Sequence, residues 1–110
     1  MTQLATTPSP PYYAVIFTSV QADNLDGYAE MAELMATLAR QQDGYLGIES
    51  AREGVGITVS YWRDLDSIRQ WRQHAEHKIA QSMGREQWYS CYQTRIALVE
   101  RDYRHSGSSV

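Results

Sequence analysis

The segment Tyr12 to Ser19, YYAVIFTS, constrains the fold more than any other, because it is a strand without a polar face. Its β-branched and aromatic residues suit a pleated backbone. Both alternating sets are apolar: Tyr12, Ala14 and Ile16 on one side, Tyr13, Val15 and Phe17 on the other. A strand of this kind must be covered from both directions. The sheet that holds it therefore needs a layer over each face.

The other segments show what can supply those layers. Gln21 to Gly27 is a turn in which Asp23, Asn24 or Asp26 can accept the first N–H groups of a following helix. That helix runs to about Gln42, with Tyr28, Met31, Ala32, Met35, Leu38 and Ala39 along one side, and Asp43-Gly44 ends it. Tyr45 to Arg52 and Val55 to Trp62 form an antiparallel hairpin around Glu53-Gly54. Asp64 then caps a second helix, Leu65 to about Met83, whose Leu65, Ile68, Ala75, Ile79 and Met83 share an arc of about 80° at about 100° per residue. A last strand is expected from about Cys91 to Tyr103.

The order strand, helix, strand, strand, helix, strand predicts an α+β, ferredoxin-like β-α-β-β-α-β fold: a four-stranded antiparallel sheet with both helices on one face. The other face is left bare. A second copy's sheet is the expected cover, giving a homodimer in which the two sheets form a dimeric α/β barrel. Residues 12–103 make the domain. Residues 1–11, with Pro8, Pro10 and Pro11, read as a flexible leader, and residues 104–110 as a polar tail.

Composition narrows the partners. With 110 residues the chain is one small domain, for which burial by a partner is valuable. A net charge of -3 offers no basic footprint for nucleic acid or an anionic membrane. No run reaches the ~18 apolar residues of a membrane span, and MTQLATTPSPP lacks the basic and apolar regions of a signal peptide, so a cytoplasmic location is expected. Cys91 is the single cysteine, which excludes an internal disulfide and a cysteine-based metal cluster.

Candidate chemistry gathers on the second helix. Trp71, His74, Lys78, Gln81 and Arg85 lie on a flank beside the apolar stripe, with His77 further round. Such a flank can wall a cleft, Trp giving apolar area and His a donor, an acceptor or a metal ligand. The competing reading has Trp71 covering the core edge and the histidines solvated. His74-x-x-His77 alone, without a third ligand, specifies no metal site. Eight Tyr and three Trp are unusually many; Tyr61, Trp62, Trp88, Tyr89 and Tyr92 fall at strand ends, where they can line a pocket for a flat aromatic ligand or pack a core or dimer seam. Gly54-Val55-Gly56 opens no helix and is not a phosphate loop.

The stretches DGYLGIES, GITVSYW, IRQWRQHAEH and AQSMGREQWY, in this order of elements, resemble the antibiotic-biosynthesis-monooxygenase (ABM) domain proteins of the dimeric α/β-barrel superfamily, over about Tyr12 to Tyr103. The resemblance implies a monooxygenase that uses O2 without a cofactor on a small aromatic or quinone-like compound, the electron-rich substrate anion itself reducing the oxygen. His74 would be the proton acceptor, and Trp71, Tyr61, His77, Gln81, Arg85 and Trp88 would contact the ligand. The alternative within the resemblance is a heme-degrading enzyme with a first-strand Asn, a helix Trp and a His about ten residues later. Trp71 fits that Trp; Gln81 stands at the His position, and the first strand holds Phe17 and Thr18 rather than Asn. A non-catalytic dimer that binds a small molecule is a further alternative.

Overall fold

The computed structural model describes residues 4–81 and 88–105. The chain runs β1 (Tyr12–Gln21), α1 (Tyr28–Arg40), β2 (Tyr45–Arg52), β3 (Gly56–Trp62), α2 (Leu65–Gln81), β4 (Tyr89–Val99). The strands form one antiparallel sheet in the order β2-β3-β1-β4. This is the ferredoxin-like α+β plan. β1 lies in the interior of the sheet, as a strand without a polar face requires.

The limits of β4 differ from expectation. Its pairing with β1 starts at Gln21 opposite Tyr89, after a bulge at Val20, and the Ala22 N–H continues it to the Trp88 carbonyl at 2.7 Å. At the other end Val99 pairs with Tyr12, and β1 stops there because Pro11 has no N–H to extend the ladder. Glu100 to Tyr103 therefore has no strand to pair with.

Asp64 caps α2 as its sequence predicts: Oδ1 accepts the Ser67 N–H at 2.8 Å and the Ser67 hydroxyl at 2.7 Å. The cap of α1 is different. Gly27 occupies that position in the left-handed region, with no side chain bonding the helix, while Asn24 Oδ1 accepts the Asp26 N–H at 2.9 Å and so closes the preceding turn instead.

The core is centred on Trp62, which is fully buried beside Val15, Ala39 and Ile68. Its indole N–H donates to Ser60 Oγ at 2.9 Å. Tyr45 meets the ring edge-on at 5.7 Å between centroids, and Trp71 stacks on it at 6.0 Å. That stack turns α2 relative to its predicted stripe. Ser67, Ile68, Trp71 and Ala75 face inward, and Leu65 is left 51% exposed. Met83 and the side chain of Ile79 lie outside the described residues.

The opposite face of the sheet is partly covered by the chain's own ends. The Ala5 N–H donates to Glu49 Oε2 at 2.9 Å, and Gly47 leaves room for the Ala5 methyl. Tyr12 accepts from the Thr7 hydroxyl at 3.0 Å and donates to Asp102, while Arg104 reaches the Ala5 carbonyl at 3.3 Å. By register, Ile16, Ile57, Val59, Ala97 and Val99 occupy this same face; Ile57 is 45% exposed.

Candidate functional site

Between the helices and the sheet lies a cavity of about 390 Å³, within the size range of ligand sites. Sequence periodicity explains its roof. The inward side of α1 alternates long Met31 and Met35 with small Ala32 and Ala36, and the alanines leave space the methionines do not fill. The floor is one transverse row of the sheet, Ser50, Thr58, Phe17 and Thr94 in register across all four strands. Arg72, Ala75 and Glu76 of α2 form a side wall.

One end is closed by aromatic rings. Phe17 meets Tyr89 edge-on at 5.3 Å, Tyr89 meets Tyr28 at 5.8 Å, and Tyr28 meets Trp88 at 6.2 Å between centroids. The Trp88 indole N–H donates to the Asp26 carbonyl at 2.8 Å, tying the start of β4 to the turn before α1. The hydroxyls of Tyr28 and Tyr89 stand 3.4 Å apart.

Charge enters only at the α2 wall among the described residues. Arg72 and Glu76 are one turn apart, with Nη2 3.6 Å from Oε2, and both are about half exposed. The arrangement is an apolar chamber with a hydroxyl-bearing floor, a phenolic end and one carboxylate able to receive a proton.

The residues expected from sequence are not brought together here. Trp88 does line the cavity. Trp71 packs on Trp62 as part of the core, because α2 is turned to bury it. Tyr61 belongs to the opposite face of the sheet, where its hydroxyl donates to Glu49 Oε1 at 2.7 Å; burial and then that bond push its pKa up to about 12, so it stays protonated. His74 and His77 are exposed on α2 and do not line the chamber. Arg85 and the side chain of Gln81 lie outside the described residues. Among the described residues, no group of three His, Cys, Asp or Glu side chains is placed to hold a metal ion.

Tyr28, Met31, Met35, Arg72 and Glu76 were the functional candidates that sequence reasoning missed. The α1 stripe was visible, but apolar periodicity does not tell the wall of a cavity from the surface of a packed core. The Arg72/Glu76 spacing was also visible and reads equally as a solvated helix pair.

Comparison with known proteins places the fold in a family. The family model for antibiotic biosynthesis monooxygenases matches residues 11–82. The chain is 55% identical over 100 residues to the uncharacterized protein YqjZ of Bacillus subtilis, covering 89% of this chain and 88% of that one. It is 32% identical over 99 residues to the jasmonate monooxygenase ABM of Pyricularia oryzae, covering 84% of this chain but 45% of that protein. The crystal structure of SnoaB, a cofactor-independent oxygenase from Streptomyces nogalater, superposes with a TM-score of 0.58 at 12% identity, covering 91% of this chain and all of that one (100%).

Proposed function

This chain belongs to the antibiotic biosynthesis monooxygenase family, and from that premise we propose that it oxygenates a small, flat aromatic compound in the chamber under α1, with O2 and no cofactor. The observation that carries the reading is the chamber itself: about 390 Å³, apolar in its roof, with hydroxyls on the floor and at the aromatic end and charge on one wall.

The chemistry asks little of the protein. An electron-rich ring that loses a proton becomes an anion able to reduce O2 itself; one oxygen atom becomes a carbonyl of the product, and the other leaves as water with the two hydrogens the substrate gives up. No external reductant is needed. The protein supplies a base, a largely apolar chamber and orientation. Glu76 replaces His74 as the base, because among the described residues it is the carboxylate that lines the chamber, with Arg72 Nη2 3.6 Å from its Oε2. Two copies of the chain joined through the open faces of their sheets complete the assembly, and this leaves both chambers on the outer side of the dimer.

Oxygen uptake with anthrone as the probe tests the reading. Purified protein without added metal, flavin or reductant is expected to consume one O2 per quinone formed. Glu76→Gln should lower kcat about 100-fold or more, and Ala36→Trp, which fills the roof, should abolish turnover. A rate equal to that of the protein-free blank would overturn the proposal.

A further inference from the structure

We infer that Arg52 is a carboxylate-anchoring residue beside the chamber floor, so that the ligand is a flat aromatic acid whose ring lies over Thr58 and Phe17 and whose anionic group meets the Arg52 guanidinium. The inference rests on the chamber being the ligand site.

The row of the sheet next to the floor is Arg52, Gly56, Ser19 and Tyr92, in register across the four strands and on the same face. Two residues along a strand separate the rows by about 7 Å. Arg52 does not extend from the edge strand β2 into solvent; its side chain crosses β3 and reaches β1, where Nη2 donates to Ser19 Oγ at 2.5 Å and Nη1 to the Ser19 carbonyl at 3.3 Å. Ser19 is 2% exposed and so gives the guanidinium a fixed attachment. Gly56 makes the crossing possible: a methyl group there would stand 2.2 Å from the guanidinium carbon. A strand glycine that admits a close approach here leaves a seat for a charge. The guanidinium thus lies on the central strands, one row from Thr58 and Phe17 of the floor.

Most of its hydrogen-bonding capacity remains. A guanidinium carries five N–H donors, and Ser19 accepts from two of them. Among the described residues no carboxylate pairs with Arg52, and the residue is exposed. A planar fork of donors held in place without a counter-ion matches a carboxylate, which accepts two parallel bonds. The separation of one row requires the acid group to stand at the edge of the ring system rather than on a long chain. In the proposed reaction the ion pair sets orientation, because the group held by Arg52 decides which ring position faces Glu76 on the α2 wall.

Calorimetric titration at pH 7 with 2-naphthoate and with 2-naphthol separates the anchor from the chamber. The ring systems are alike, and only 2-naphthoate carries a full charge. A hydrogen bond to a charged group is worth about 10- to 100-fold in affinity, and exposure of Arg52 to water sets the expectation at the lower limit. The protein is expected to bind 2-naphthol, and to bind 2-naphthoate more tightly by about 10-fold. Arg52→Gln should bring that ratio to about one with 2-naphthol affinity unchanged. Gly56→Ala keeps the charge but fills its seat, so the flexible arginine is displaced and the ratio should fall here too, with the circular dichroism spectrum unchanged. A ratio near one in the unaltered protein, or a ratio that survives in either variant, would overturn the anchor while leaving the chamber as a ligand site. Failure of both compounds to bind would overturn the chamber reading and the anchor with it.

Discussion

Gly44 sits where the chain passes beneath the side chain of Ser67, in a left-handed conformation with φ of 92°. A methyl group there would run into the Ser67 hydroxyl, which Asp64 holds in place. Gly44→Ala should therefore cost more than the ~1–2 kcal/mol of the backbone conformation alone, as read from the urea midpoint. Asp64 itself links this corner to pH. Its carboxyl is held below the ordinary range, first by the Ser67 hydroxyl and the Ser67 backbone N–H, then by Arg63. Folding thus favours the ionised form. The stabilisation is complete above the unfolded value of about 3.9 and is lost as pH falls through the folded one. Asp64→Asn keeps an acceptor at the cap and removes the titration. Its urea midpoint should fall less steeply than that of the parent between about pH 5 and about pH 2.

At the scale of elements, α2 shows how far sequence periodicity reaches. Its start was legible because Asp64 caps it by local geometry alone, and so were the element order and the hairpin, which depend on alternation and turn residues. Its rotation was not legible. The stripe drawn through Leu65 and Ile68 treats Trp71 as a flank residue, yet Trp71 is the residue whose ring matches Trp62 across the interface, and burying that stack outweighs covering Leu65. The same rotation sets where the expected site residues lie: with α2 turned, His74 faces solvent, while Arg72 and Glu76 line the chamber. Trp71→Ala should accordingly act on stability, toward the lower end of the ~3–5 kcal/mol seen for buried aromatics, because the ring is only partly buried. Thermal denaturation checks this. A variant with unchanged Tm but lost ligand binding would return Trp71 to the site.

For the whole molecule, the question is what covers the second face of β1. The chain's own ends cover one portion, since residues 5, 7, 102 and 104 bond across Tyr12 and Glu49. The polar groups of Glu49, Tyr12 and Tyr61 are thereby satisfied before any partner arrives. What is left of the face carries Ile16, Ile57, Val59, Ala97 and Val99 around a few polar residues, a surface suited to isologous pairing with its own copy. Val59 lies on β3 opposite Ile16, within the sheet rather than at its edge, so a charge placed there would be desolvated in the dimer and solvated in the monomer. Sedimentation at micromolar concentration is expected to give a dimer for the parent chain and a monomer for Val59→Arg. The chamber lies on the other side of the sheet, so 2-naphthol affinity should persist in that monomer. A parent chain that sediments as a monomer would leave the open face unexplained by self-association, and loss of naphthol binding in a folded Val59→Arg monomer would mean that the second copy shapes the chamber across the sheet.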